Sequence, residues 1–134
     1  MRDEVFLLGR VLFSLVFAWN GQNHLTHTTP SAQYAEYKRV PSARNAVLLS
    51  GVLMIVGSLA VVLGIWMDLA ALGLAVLVVI MAFYMHRYWE ETDPQTLAVE
   101  RAQFMKNLSL AGGALIIAAV GTYAPYTLTD GVFK

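Results

Sequence analysis

The residues of this 134-residue chain that could carry chemistry lie at the ends of its apolar segments, and they include imidazoles, amides and basic groups. We expect one group of them to share one side of the molecule: Asn20, Asn23, His24, Arg44, His86, Trp89, Lys106 and Asn107. Such donors beside an aromatic ring would hold a quinone head group or an anion. An ordinary layer of polar and aromatic residues at a membrane surface would give the same pattern. The sequence is compatible with both interpretations.

The three histidines raise the question of a metal or a haem. His24 and His27 are three residues apart, which would place both on one helix face, and His86 ends a later apolar segment. Three imidazoles on one side would ligate a metal, and His24 with His86 would flank a haem. Against this, no carboxylate or thiolate lies beside them at a ligand spacing. We therefore predict no metal site.

Arg10 lies inside the first apolar segment, where an unpaired charge is costly. Asp68, on the same expected face, is the partner we predict for an intramembrane ion pair. Asp3 and Glu4 compete for that role. The alternative is a side chain that extends to the lipid head groups.

Small residues at a spacing of four allow helices to approach closely within a membrane. They predict helix packing in the second and fourth segments: Gly51, Gly57, Ser109, Gly112 and Gly113. No nucleophile–base pair, P-loop, GxGxxG or HExxH pattern is present, so we expect no catalytic residues.

The elements that must position these residues are apolar helices. Residues of the AVILMFWYC set make up 57% of the chain and charged residues only 13%, which is unlike a soluble domain. Because a hydrocarbon core of about 30 Å needs about 20 helical residues, we predict one all-α domain with four spans. Their bounds are about 5–24, 45–66, 69–88 and 105–126.

The stretch from Asn45 to Met85, which contains the second and third spans, is too long to cross the membrane as one helix, because that helix would be about 60 Å long. Gly64 and Trp66 favour a tight hairpin there. In the two longer polar connections, Ser31–Arg39 is expected to form a short helix, and 96–105 is expected to lead as helix into the fourth span. Arg10 and the poor cleavage site Ala18-Trp19-Asn20 indicate that the first span is retained.

The balance of charges excludes some functions and suggests an orientation. Nine basic and nine acidic residues argue against nucleic-acid binding, and the absence of cysteine excludes disulfides and thiolate centres. Basic residues favour the cytoplasmic side of a membrane. The long connections carry Lys38, Arg39, Arg44, Arg87, Arg101 and Lys106, against Arg2, Lys134 and Arg10 elsewhere. We therefore expect cytoplasmic long loops and both termini outside.

Short motifs in several segments carry a resemblance to a known family. They are Gly9-Arg10, Gly21 with Asn23-His24, Gly57-Ser-Leu-Ala-Val-Val-Leu-Gly64, Leu69-Ala-Ala71 and Phe104-Met-Lys-Asn-Leu-Ser-Leu-Ala-Gly-Gly113. With these the chain resembles the DoxX family of small four-helix prokaryotic membrane proteins over nearly its whole length. The resemblance implies a multi-pass protein of the prokaryotic cell (inner) membrane.

Two positions depart from the family pattern. Many members have a lysine where His24 falls, and many have an acidic residue in the second helix where Met54 falls. A role that relies on that carboxylate does not carry over to this chain. The family is named for the small subunit of an archaeal thiosulfate:quinone oxidoreductase, and other members look like membrane partners of redox or stress-response proteins.

Two functions follow as expectations. The first is a non-catalytic accessory or assembly subunit of a redox or envelope complex, in contact with the lipid bilayer and other membrane-protein subunits, or with copies of itself. The alternative is a quinone-interacting subunit of an oxidoreductase such as thiosulfate:quinone oxidoreductase. The chain requires no cofactor, and a quinone or a bound lipid is the candidate ligand. Transport of a small solute or lipid is a weaker hypothesis, because transport paths usually need several buried polar groups and only Arg10 is charged within a span.

Overall fold

The computed structural model describes residues 1–133, and this part of the chain is helical, without β-strands. The helices are α1 (Arg2–Thr26), α2 (Thr28–Tyr37), α3 (Ala43–Leu63), α4 (Met67–Met85) and α5 (Pro94–Val120), with 3-10 turns at Tyr88–Glu90 and Gly121–Tyr123. Four of them, α1, α3, α4 and α5, are long and apolar enough to cross a membrane. The predicted all-α fold with four spanning helices is confirmed.

The four long helices alternate in direction, so the molecule has two distinct ends. One end, the loop face, carries α2 and the turn Tyr88–Glu90. The other end, the hairpin face, carries the N-terminus, the α3–α4 turn and the segment that follows α5 as far as Phe133. Only three residues separate α3 from α4, and Gly64 and Trp66 adopt left-handed φ angles of 69° and 41°. The predicted tight hairpin is therefore confirmed.

Helix α5 begins well before the apolar part of its sequence. The Asp93 carboxylate accepts hydrogen bonds from the Thr96 amide and hydroxyl, both at 2.9 Å, and Pro94 occupies the first helical position. This is a favourable helix start, because the side chain satisfies an amide that has no partner within the helix. The helix has 27 residues, which is about 40 Å and longer than a hydrocarbon core of about 30 Å.

The core is built largely from small and β-branched side chains. Ala71, Ala114 and Val61 are fully buried between the long helices. An added Cβ at Gly51 would lie 2.9 Å from the His24 Cβ, and one at Gly57 would lie 2.9 Å from a Leu74 methyl carbon. Helices α1 and α3, and α3 and α4, therefore approach closely at these glycines.

The small residues of α5 that were predicted to pack against other helices do not make such close contacts. Ser109 is exposed, an added Cβ at Gly112 would meet nothing within 4 Å, and one at Gly113 would make an ordinary 3.5 Å contact with Phe13. None of the three brings α5 unusually close to another helix of the described chain. The buried stripe of α5 instead runs through Ala111 and Ala114, because these lie on the face that packs on α4.

The fourth span ends earlier than its predicted boundary at residue 126. Helix α5 stops at Val120, and residues 121–133 form an irregular C-terminal segment that folds back over the hairpin face. The Leu128 amide donates to the carbonyl oxygens of Leu63 and Gly64 at 3.2 and 3.1 Å, and the Thr129 hydroxyl accepts from the Trp66 amide at 2.8 Å. This segment thus satisfies backbone groups left open at the α3–α4 turn.

Candidate functional site

A cavity of about 490 Å³ lies in the loop-face half of the bundle. All four long helices contribute to its walls, and Ser31, Tyr34 and Ala35 of α2 contribute to its loop-face end. Its deeper part is lined by Phe17, Met54 and other apolar side chains of the bundle core. This volume is in the range of small-molecule sites, which are commonly apolar with a few polar groups that fix orientation.

The polar end of the cavity contains much of the cluster predicted from sequence. The predicted residues that line it are Asn20, His24, His86, Lys106 and Asn107. They come together because Asn20 and His24 are four residues apart on α1, while His86 follows the last residue of α4 and Lys106 lies on the neighbouring helix α5. Ser50, Tyr34 and Gln103 add further polar groups to the same end.

The remaining predicted members lie elsewhere. Arg44 is exposed in the first turn of α3, and Asn23 is not part of the cavity wall. Trp89 packs its ring against Phe83 and Phe104, with centroid separations of 6.1 and 5.6 Å. These residues belong to the surface of the loop face, as the interfacial interpretation expects.

The His24 side chain is hydrogen-bonded to a residue of α3. Its Nδ1 lies 2.9 Å from the Ser50 hydroxyl, and that hydroxyl donates to the Val47 carbonyl oxygen at 3.0 Å. His27, which the sequence places on the same side, is exposed and bonds only to its neighbour Thr26. The two imidazoles therefore do not converge, and among residues 1–133 no group of three metal-ligating side chains is assembled.

His86 is held by a carboxylate that the sequence analysis did not single out. Glu100 of α5 is 7% exposed, and its Oε2 accepts from His86 Nδ1 at 2.9 Å. Its other oxygen accepts from the Tyr34 hydroxyl at 3.0 Å. Burial, followed by the hydrogen bond to Glu100, raises the pKa of Tyr34 to about 12. The phenol therefore keeps its proton and acts as a donor at neutral pH.

Salt bridges and hydrogen bonds connect α2 to the 3-10 turn across the loop face. The buried Lys38 ammonium lies 3.4 Å from Glu91 Oε1 and 3.7 Å from Glu100 Oε2. The Arg87 guanidinium donates to the Lys38 carbonyl oxygen at 2.8 Å, and Arg39 pairs with Glu90 at 2.9 Å. These interactions hold α2 over the polar end of the cavity.

Arg10 does not form the predicted ion pair with Asp68. Its guanidinium is 1% exposed and donates to the carbonyl oxygens of Val62, Pro125 and Tyr126 at 2.8 to 2.9 Å. The Asp68 carboxylate accepts instead from the amides of Phe133 and Leu69, at 2.6 and 2.8 Å.

The physical reason is the C-terminal segment, whose carbonyl and amide groups lack helical partners and lie within reach of both side chains. Because Arg10 is buried, its side chain also does not extend to the lipid head groups. Arg10 and Asp68 bind the same segment at different points, rather than each other.

The fold and the cavity together define a multi-pass helical membrane protein with an amphipathic ligand-sized cavity near one end. The DoxX family matches the chain over residues 5–87, which is more than half of its length, and the chain belongs to this family. It is also 29% identical over 121 residues to "Inner membrane protein YqjF" of Escherichia coli (strain K12), across 90% of this chain and 87% of that protein. No solved structure matches the chain significantly.

Proposed function

We propose that this DoxX-family protein is a non-catalytic subunit of a membrane redox complex, and that its cavity binds the head group of an isoprenoid quinone. The observation that carries the proposal is the cavity itself, with an apolar body and a polar end that contains two oriented imidazoles, His24 and His86. A quinone ring with its prenyl tail has the same division into polar and apolar parts.

Access from the bilayer supports a lipid-soluble ligand. Ile80 and Tyr84 line the cavity and yet are 50% and 43% exposed on α4, within the apolar part of the bundle. Side chains that line the cavity and are also exposed place this wall next to the outer surface of the bundle. A prenyl tail that left the cavity beside them would enter lipid, where it costs no exposure of apolar surface to water.

The side chains at the polar end of the cavity support an accessory role, because they can bind a ligand but cannot themselves carry electrons. The Tyr34–Glu100–His86 network can orient a ligand and exchange protons with it, but these residues carry no redox centre of their own. Electron transfer would therefore belong to a partner subunit. The name of the Escherichia coli relative supports an inner-membrane location, and the excess of basic residues on the loop face supports a cytoplasmic position for that face.

The test is to purify the protein from native membranes in mild detergent and to quantify quinone in its lipid extract and proteins that co-purify. We expect bound quinone in the wild-type protein and its loss in His24→Ala and His86→Ala. His27→Ala is the matched control, because this exposed histidine lies outside the cavity. Quinone at the level of an unrelated membrane protein would contradict the quinone site, and a lone chain without a partner would contradict the subunit role.

A further inference from the structure

The hydrogen bonds of the two cavity histidines determine which ring nitrogen carries the proton. Glu100 is a carboxylate that also accepts from Tyr34 and lies beside the Lys38 ammonium. A carboxylate can only accept, so the His86 Nδ1 at 2.9 Å must be the protonated nitrogen. In the neutral imidazole, Nε2 is then an acceptor.

His24 reaches the same state by a different route. The Ser50 hydroxyl has one proton, and it is donated to the Val47 carbonyl oxygen at 3.0 Å. With that proton in the bond to Val47, the serine oxygen accepts from the His24 Nδ1 at 2.9 Å. Nε2 of His24 is again the acceptor, and neither Nε2 has a hydrogen-bonding partner among residues 1–133.

A ligand in the cavity that reaches either Nε2 therefore has to bring a hydrogen-bond donor to it. The carbonyl oxygens of a quinone are acceptors and would oppose two imidazole lone pairs. The hydroxyl groups of the corresponding hydroquinone are donors and match the acceptor that each imidazole presents. Lys106 and Asn107 also line the cavity, but their donors serve either form, since a hydroxyl oxygen accepts as well as a carbonyl oxygen does.

We infer that the cavity binds a para-hydroquinone more tightly than the oxidised quinone with the same ring and tail. This inference rests on the proposed quinone site and adds the redox form that the site prefers. With two neutral hydrogen bonds at stake, the expected preference is on the order of tenfold or more in Kd.

The experiment measures Kd for three ligands on the purified full chain under anaerobic conditions near neutral pH. The ligands are a short-tailed ubiquinone, its hydroquinone, and the dimethyl ether of that hydroquinone, which keeps the ring shape and lacks donors. We expect the hydroquinone to bind about tenfold more tightly than the other two. Equal binding, or tighter binding of the quinone, would overturn the inference while leaving the quinone site standing. If none of the three binds, the proposed function itself fails.

Two substitutions test whether His24 and His86 cause the preference for the hydroquinone. His24→Phe and His86→Phe keep an aromatic ring and remove the acceptor, so each should lower the hydroquinone-to-quinone ratio and the double variant should bring it to about one. His27→Phe is the matched control and should keep the wild-type ratio. A tenfold preference that survives in the double variant would overturn the inference. The comparison of hydroquinone with its ether on the wild-type protein decides the question if a variant fails to fold.

Discussion

At the scale of single residues, Glu100 connects the polar end of the cavity to the loop face. It bonds to His86 from α4 and Tyr34 from α2, and it lies beside Lys38. Its spacing of four and seven residues from Phe104 and Asn107 places it on the buried stripe of α5. That spacing was readable in the sequence, but partners 66 and 14 residues away in the chain were not.

Removing this carboxylate should leave buried donors without an acceptor. We expect Glu100→Leu to lower the free energy of unfolding in detergent by about 3 kcal/mol, because His86 and Tyr34 lose their acceptor and Lys38 keeps only the Glu91 carboxylate. The double variant Lys38→Met with Glu100→Leu should recover part of this loss. Glu36→Leu, at an exposed position of α2, is the control and should change little. Additive effects of Lys38→Met and Glu100→Leu would contradict the buried pair.

Arg10 binds partners that its sequence context does not indicate. Arg10 was expected either to pair with Asp68 or to extend to the lipid head groups, and it does neither, because carbonyl oxygens of an irregular segment leave no signature in sequence. We expect Arg10→Leu to lower the free energy of unfolding by about 3 kcal/mol, since charge-assisted hydrogen bonds to three carbonyl oxygens are lost. Arg44→Leu, at an exposed position, should be nearly neutral. An unchanged melting temperature for Arg10→Leu would contradict the observed role.

At the scale of elements, the helices that sequence predicted well are those bounded by sharp changes in polarity. The run from Asn45 to Met85 contains one charge, so its length alone required a turn, and Gly64 marked it. The end of α5 was misplaced because apolar and aromatic residues continue through Tyr126 after the helix stops at Val120. Hydropathy does not distinguish a span from a segment packed on its end.

The start of α5 gives a prediction that depends on pH. Hydrogen bonds from the Thr96 amide and hydroxyl lower the pKa of Asp93. A carboxyl group whose pKa is lowered on folding stabilises the protein above its unfolded pKa of about 3.9, and this stabilisation is lost as pH falls through the folded value. Asp93→Ala should therefore lower the melting temperature at pH 7, and the difference from wild type should disappear at low pH. A difference independent of pH would contradict the ionised cap.

At the scale of the whole molecule, the cavity exists because four helices and α2 meet at one end. The sequence predicted that polar groups from several helix ends share this face, and His24, His86, Lys106 and Asn107 do line one cavity. It could not predict the cavity volume or the covering by α2, because both depend on contacts between distant segments. Surface residues such as Arg44 were included since polarity alone does not show which side of a helix faces inward.

The central claim is that this cavity holds a quinone head group. The most direct measurement is photolabelling of the membrane-embedded protein with a photoreactive short-chain quinone, followed by mapping of the labelled residues with and without excess unlabelled quinone. We predict competable labelling on the cavity-lining parts of α1 and α5, around Asn20 and Lys106. Leu12 and Ile116 face outward and are 60% and 67% exposed. Labelling that is confined to such residues and is unaffected by the competitor would contradict the quinone site.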